Sequence, residues 1–384
     1  MSVDQLGPLP EFLGPVADDV VRIVAPTGDK MWLVRDYALG RLVLADRRFS
    51  RADAVGRNAP KFNDAQPVPD SMMSMDGAEH NRLRRVVTGA FTNRRIAGLA
   101  PYIERLADEH LEAVAAAGQG ADLVEGLANP LPLAVLCTLL GVPPGDSERF
   151  RGWVEVLFDI SASSPREKSR RRLELVGYMT ELVESKVREP RDDLLTALVA
   201  AQERGELSMG ELLTLGLTLL MAGYETTVGQ IGLSVLSLLA DPVAYEQLRA
   251  RPDRLAPAVE ELLRLTPSTP LSFPRVAVEP VTLGSVTIQA GEAVLVALLH
   301  GNRDGKVFAE PERFALDGRD TVHLTFGHGV HRCLGAPLAR LQVRIVLERM
   351  LVRFPTLRLA AVPEPVAWKD GLATRGLSRL LVEW

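Results

Sequence analysis

The long apolar segment from Glu211 to Ala240 constrains the fold more than any other part of the sequence. A membrane-spanning helix needs about 20 mainly apolar residues, without a charge near its middle. Glu225 and Gln230 interrupt this segment close to its centre. We therefore expect a long helix that runs through the interior of a globular protein.

The remaining pattern predicts a mainly helical fold with small β-sheets. Apolar periodicity and capping residues predict helices over residues 76–91, 94–117, 122–140, 147–160, 165–188, 192–204, 208–240, 242–250, 252–265 and 334–353. β-branched runs predict strands over residues 20–24, 30–34, 276–281, 286–288 and 294–299. At Pro267 the sequence pattern changes from mainly helical periodicity to β-branched runs. Segments on both sides nevertheless carry parts of the site described below. We therefore predict one domain over residues 1–384.

Composition excludes several classes of protein. The formal net charge of −5 provides no bulk attraction to nucleic acid or to an anionic membrane. Two cysteines exclude a disulfide framework and fit a reducing compartment. The N-terminus has neither a basic nor an apolar leader region. We expect a cytoplasmic protein that binds neither nucleic acid nor membrane.

The segment from Phe326 to Arg340, FGHGVHRCLGAPLAR, is the most informative stretch. Gly327 and Gly329 allow a tight backbone path ahead of Cys333. Because a helix is predicted directly after Cys333, unpaired N–H groups and the helix dipole favour its thiolate form. A thiolate on haem iron favours cleavage of the O–O bond. Cys137, in the apolar run LAVLCTLL, is expected to be a small buried hydrophobe.

This cysteine segment resembles the signature of cytochrome P450s, and the resemblance extends over nearly the whole chain. It implies a P450 fold with haem b (iron protoporphyrin IX) buried between the long central helix and the helix after the cysteine loop. It implies that Cys333 ligates the iron, Phe326 packs beside the haem and His331 reaches a propionate. Gly335 is also assigned to the cofactor site by resemblance.

Glu261 and Arg264 lie three residues apart and therefore share one helix face. Most such pairs are solvated and contribute under about 1 kcal/mol. Here the segment Pro311-Glu-Arg313-Phe follows at the expected place. The resemblance implies a structural Glu-x-x-Arg pair with Arg313 as its third member.

The segment AGYETT, residues 222–227, lies midway along the long helix. Gly223 costs roughly 1 kcal/mol of helix propensity relative to Ala, which suggests a kink or a close approach. An acid and a hydroxyl inside an apolar helix are costly without partners, unless this edge of the helix faces water. The resemblance implies that Thr226 orients dioxygen and that Glu225 supplies protons during its activation.

His80 and Arg84 lie four residues apart on a predicted helix, where two donors aimed in one direction suit an anionic partner. An ordinary basic helix face is the alternative. The family resemblance favours contacts with the haem propionates, completed by Arg275 at the head of a strand.

The resemblance implies a monooxygenase that oxidises a small organic substrate, most simply by hydroxylation in secondary metabolism. The chain has no dinucleotide fingerprint or flavin module, so a ferredoxin and its reductase would supply electrons. A short N-terminal similarity to actinobacterial P450s that oxidise cyclic dipeptides leaves C–C or C–N coupling open, and a non-catalytic haem scaffold is a further alternative. The predicted substrate pocket comprises Met72, Met73, Phe158, Leu219, Ala222, Thr269 and Leu271.

Overall fold

The computed structural model describes residues 13–14, 18–56, 58–63, 70–146, 149–153, 165–369 and 374–384. They form two compact units, each assembled from separate parts of the chain. The first takes its residues from Met1–Arg82 and Glu260–Cys333, and the second from Leu83–Val259 and Leu334–Trp384. The prediction of one domain over the whole chain stays a prediction.

The first unit is built on a five-stranded sheet. Its strands follow the spatial order Val20–Val24, Lys30–Val34, Ala293–Val296, Arg275–Ala277 and Phe49–Ser50. The second and third of these strands are parallel, and the other neighbours are antiparallel. A separate hairpin pairs Val281–Leu283 with Val286–Ile288. Apolar side chains from both sheets form the core of this unit.

Short helices complete the first unit. They are Tyr37–Ala45 and Leu298–Gly301, together with the 3₁₀ turns Asp53–Val55, Met72–Ser74 and Gly329–His331. Asp36 caps the first helix, because its carboxylate accepts a hydrogen bond from the Leu39 N–H at 2.8 Å. The predicted strand 294–299 ends at Val296, and a helix follows it.

Helices dominate the second unit. Those that lie wholly within it are Asn93–Gly98, Ala100–Ala117, Pro130–Leu140, Pro165–Arg188, Leu194–Glu203, Met209–Leu239, Pro242–Ala250 and Ala336–Arg353. A small sheet pairs Val366–Trp368, Leu377–Glu383 and Ala121–Asp122, and Arg358–Leu359 also pairs with the second of these strands. Helices Gly77–Ala90 and Leu255–Leu265 contain points where the chain passes between the units.

The central helix, Met209–Leu239, begins with a capping box in which the Ser208 and Glu211 side chains each bond the other residue's backbone N–H. Its length and apolarity would suffice to cross a membrane. More than half of its residues are buried within the second unit, however, which is the position expected of a core helix. Gly223 fits the prediction of a close approach, since a Cβ there would lie 2.8 Å from Leu136 Cδ2.

Two predicted helices differ in detail from the structure. The segment 94–117 divides into two helices at Leu99, because Pro101 occupies the first turn of the second helix. The segment 122–140 begins with the π-helix Val124–Ala128 before Pro130–Leu140. Residues 149–153 are helical, whereas the rest of the predicted helix 147–160 lies outside the described residues.

Candidate active site

The loop before Cys333 closes on itself through backbone hydrogen bonds. The Cys333 N–H donates to the Phe326 carbonyl at 2.8 Å, and the Gly327 N–H donates to Leu324 at 2.7 Å. Gly327 and Gly329 both have positive φ, 69° and 74°. A Cβ on Gly329 would lie 2.7 Å from the Leu44 carbonyl oxygen, so only glycine fits there.

Cys333 is exposed at the end of this loop and forms no disulfide. The helix Ala336–Arg353 begins three residues later, with Gly335 as its N-cap. Cys137, in contrast, is buried in the second unit, and burial raises the pKa of its thiol to about 12. Cys137 is therefore the small buried hydrophobe that the sequence predicted.

Asp76 is the centre of a polar cluster in the first unit. Its carboxylate accepts hydrogen bonds from the Ser50 hydroxyl and from the Arg51 and Ala52 N–H groups, at 2.7 to 2.8 Å. The His331 Nε2 lies 3.2 Å from its other oxygen. Burial acts to raise the pKa of Asp76, but these hydrogen bonds hold it well below its usual range.

Two buried guanidinium groups add positive charge to this cluster. Burial lowers the pKa of Arg275 to about 10, and burial together with repulsion from Arg275 lowers the pKa of Arg51 to about 10. Both groups therefore remain protonated at neutral pH. Arg275 donates to the carbonyls of Phe49 and Leu44 at 3.0 and 3.2 Å. Its Nε is buried and bonds no described group.

Two histidines complete the cluster. The His80 ring is buried, and its centroid lies 4.2 Å from that of His331. Burial lowers the pKa of His331, against the effect of its bond to Asp76. Two guanidinium groups and one carboxylate leave excess positive charge in a buried place, which an anion would neutralise. The carboxylates of a haem fit that requirement.

Glu225 and Thr226 lie midway along the central helix, on the predicted segment. The Thr226 hydroxyl is half-buried and donates to the Ala222 carbonyl at 2.8 Å. Glu225 is buried, and its Oε1 lies 2.8 Å from the Lys369 Nζ. The alternative that this edge of the helix is a solvated face is therefore wrong for Glu225, which has a cationic partner.

Similarity to known proteins extends over nearly the whole chain. The family model described as cytochrome P450 matches residues 25–374. The chain belongs to the cytochrome P450 family. It is a monooxygenase of the secondary-metabolite type, and its cofactor is haem.

Three relatives place the chain within this family. Nocardicin C N-oxygenase of Nocardia uniformis subsp. tsuyamanensis is 42% identical over 366 residues, 95% of this chain and 92% of that protein. Mycinamicin IV hydroxylase/epoxidase of Micromonospora griseorubida is 42% identical over 96% of this chain and 93% of its own. The crystal structure of the LnmA cytochrome P450 hydroxylase from the leinamycin pathway of Streptomyces atroolivaceus S-140 is 40% identical, with a TM-score of 0.88, and the match covers 96% of this chain and 94% of that one. The predicted fold class, a mainly helical P450 fold with small sheets, is confirmed.

The Glu-x-x-Arg pair of this P450 is buried, as the resemblance implied, but its third member differs. Arg264 donates two hydrogen bonds to Glu261, at 2.7 and 3.0 Å. The predicted third residue, Arg313, contributes only its backbone carbonyl, and its exposed side chain pairs with Glu310. Arg319 instead donates to Glu261 at 3.1 Å. The assignment of the Arg313 side chain is therefore wrong, because the chain turns that side chain outward and brings Arg319 back to the carboxylate.

The remaining residues predicted for the site differ in their exposure to solvent. Arg84 is half-buried, one helical turn after His80. Of the predicted pocket residues, Met72 is buried, Met73, Leu219, Thr269 and Leu271 are half-buried, and Ala222 is exposed. Leu271 also packs against the core of the first unit. Phe158 lies outside the described residues. The substrate pocket stays a prediction.

Sequence reasoning did not assign three residues that the structure brings to the site. Arg51 and Asp76 join the histidine cluster. Lys369, which directly follows the strand Val366–Trp368 and lies 144 residues away in the chain, bonds Glu225. The cost of burying Glu225 was a signal that a partner exists, but nothing in the sequence indicated which cation it is.

Proposed function

We propose that this P450 inserts oxygen from dioxygen into a small organic substrate of secondary metabolism, most simply by hydroxylation. A ferredoxin and its reductase supply two electrons, and the protein acts in the cytoplasm. The observation that carries the proposal is the Glu225–Thr226 pair, an acid and a hydroxyl midway along the central helix of a chain with an intact cysteine loop. A haem scaffold without catalysis would need neither group.

Haem supplies the chemistry of dioxygen activation when it is bound. Cys333 would hold its iron, and His80, Arg84, Arg275 and His331 would hold its propionates, together with Arg51. Phe326 and Gly335 would flank it on the cysteine side. The buried positive charge of Arg51 and Arg275 compensates the carboxylates.

The chain itself contributes proton transfer and the exclusion of water. The Thr226 hydroxyl donates to the Ala222 carbonyl and could exchange this bond for another hydrogen bond on the same side of the helix, at little cost because one hydrogen bond replaces another. Glu225 can carry a proton on its carboxylate towards that hydroxyl. The apolar surroundings of the helix limit other proton donors.

Carbon monoxide binding tests the thiolate assignment. The reduced, haem-loaded protein should show the strongly red-shifted Soret band of a thiolate-ligated haem, and Cys333→Ser should lose that band. Cys137→Ala is the matched control and should keep it, because Cys137 is a buried packing residue. The same red-shifted Soret band in Cys333→Ser would overturn the assignment.

A spin-state titration of the ferric protein tests the substrate class. The panel comprises cyclic dipeptides, short aromatic peptides, macrolactones and terpenoids. A saturable high-spin shift selects the substrate for turnover with ferredoxin, reductase and ¹⁸O₂. One labelled oxygen in the product supports insertion. An unlabelled product that has lost two hydrogens means oxidative coupling instead. No NADPH consumption with a substrate that shifts the spin state would favour a scaffold.

A further inference from the structure

Glu225 has one ionic partner in the structure. Its side chain is only 4% exposed, and among the described residues Lys369 is the only one whose side chain bonds it. The bond, 2.8 Å long, goes to Oε1. No described group bonds Oε2. One carboxylate oxygen is thus anchored, and the other remains available for proton transfer.

The C-terminal hairpin, strands Val366–Trp368 and Leu377–Glu383, holds Lys369 in this position. Lys369 follows the first strand directly, and its backbone N–H donates to the Gly376 carbonyl at 3.0 Å. The register shifts between Ala367 and Trp368, which marks an irregularity just before the lysine. The backbone of Lys369 is therefore fixed by the hairpin and not by its ion pair.

The same hairpin packs closely on the central helix. A Cβ on Gly376 would lie 3.5 Å from the Gly229 Cα and 3.8 Å from the Glu225 Oε1. Gly229 lies one helical turn after Glu225, and Gly232 faces Leu377 in the next turn. Small residues on both sides bring the two backbones together. This close approach sets the distance that the Lys369 side chain spans to bond Glu225.

We propose that Lys369 is a positioning residue for proton delivery: it anchors Oε1 of Glu225, so that Oε2 accepts a proton and passes it on. The inference rests on the proposed function, in which Glu225 carries protons. Lys369 is 21% exposed, so it lies where the buried carboxylate approaches water. Lysine itself neither gains nor loses a proton in this role. A proton from water binds Oε2 and leaves from Oε2.

Electrostatics explains why a cation is needed there. A carboxylate buried in apolar surroundings favours its neutral form unless a positive charge or hydrogen bonds compensate. Without Lys369, the buried carboxylate of Glu225 would therefore lose its compensating charge. Its orientation would also lose the anchor at Oε1.

The test compares Lys369→Met, Lys369→Arg and the control Arg379→Met in the haem-loaded protein. Arg379 lies on the second strand of the same hairpin, is exposed and bonds only the Glu364 carbonyl, so its loss removes one charge without touching Glu225. The first readout is the infrared spectrum of the resting protein. Lys369→Met should gain a band of a protonated carboxylic acid, which the double variant Lys369→Met/Glu225→Gln lacks. Wild type, Lys369→Arg and Arg379→Met should not show it.

The second readout is turnover. Lys369→Met should lower kcat roughly tenfold with KM unchanged, less than the about 10²–10⁴-fold effect of an acid–base group itself. Lys369→Arg should restore most of kcat. A Lys369→Met protein that folds, lacks the carboxylic-acid band and turns over like wild type would overturn the inference. If wild type itself showed no substrate-dependent turnover, the proposed function would fail, while the infrared band would still report on the Lys369–Glu225 pair.

Discussion

The described residues include two buried glutamates with cationic partners, one in each unit, and they differ in how completely their bonds are satisfied. Glu261 and Arg264 are 2% and 1% exposed. Besides each other, they bond the carbonyls of Asn302, Pro311 and Arg313, the Ala315 N–H and the Arg319 side chain. Glu225, in contrast, has a single bond from a lysine that is partly open to solvent.

We expect this difference to separate a structural ion pair from a reactive one. A saturated pair cannot change its protonation or orientation without breaking several bonds at once, so it holds segments together. A carboxylate with one bond can exchange a proton at its other oxygen. Burial and charge alone do not distinguish the two roles, whereas the number of partners does.

The largest expected effect is on the saturated pair. Arg264→Met should lower the free energy of unfolding by about 3–5 kcal/mol, because it leaves the Glu261 carboxylate buried with much less compensation. Urea denaturation of the haem-loaded protein measures this change. Arg313→Met is the matched control, since Arg313 forms an exposed pair with Glu310, and it should cost less than about 1 kcal/mol. Equal losses in both variants would contradict the comparison.

The second effect should appear in catalysis and not in stability. Glu225→Gln keeps the shape of the side chain but cannot carry the proton, so kcat should fall about 10²-fold. The free energy of unfolding should change by less than about 1 kcal/mol, because Lys369 can turn to solvent. Stopped-flow reduction should remain normal as a control. A loss of stability comparable with that of Arg264→Met would show that Glu225 is structural.

A smaller effect concerns Arg319, the second cationic partner of Glu261. Arg319→Met should cost about 1 kcal/mol at neutral pH, since Arg264 still compensates the carboxylate. Burial acts to raise the pKa of Glu261, but Arg264, the Ala315 N–H and Arg319 hold it below its usual value. The stabilisation is therefore complete above the unfolded value of about 4.3 and is lost as the pH falls through the lower folded value.

Unfolding measured between neutral pH and pH 3 checks this sign. Wild type should lose stability on acidification more steeply than Arg319→Met, because the variant has less of this stabilisation to lose. Parallel curves for the two proteins would mean that Arg319 contributes nothing to the ionised state of Glu261.

The smallest expected effect is that of Gly376→Ala. The added Cβ would meet Gly229 and Glu225 at ordinary contact distances, and Gly376 is not among the residues with positive φ. The free energy of unfolding should therefore change by less than about 0.5 kcal/mol, and kcat should be that of wild type. A fall in kcat equal to that of Lys369→Met would mean that the hairpin backbone, rather than the lysine charge, sets the reactivity of Glu225.

Much of the candidate site could be predicted from local sequence patterns. The cysteine loop, the Glu-x-x-Arg pair and the acid–hydroxyl pair each lie within a few residues of one helix or turn. Their geometry follows from backbone conformation alone, such as the positive φ of Gly327 and Gly329. Helix boundaries were predicted well where a cap was present, as at Ser208, and less well where a proline or a π-helix divides a periodic segment.

Sequence alone therefore determined the family and the mainly helical fold, and it predicted which cysteine binds the cofactor. Tertiary structure decided which cations meet which acids: Arg319 and not Arg313 at Glu261, Arg51 beside Asp76, and Lys369 at Glu225. The physical reason is that periodicity and propensity act over a few residues, whereas the partner of a buried charge is chosen by the packing of segments far apart in the chain. A buried carboxylate requires a cation nearby, but only the folded chain determines which one is within 3 Å, as Lys369 is at 2.8 Å from Glu225.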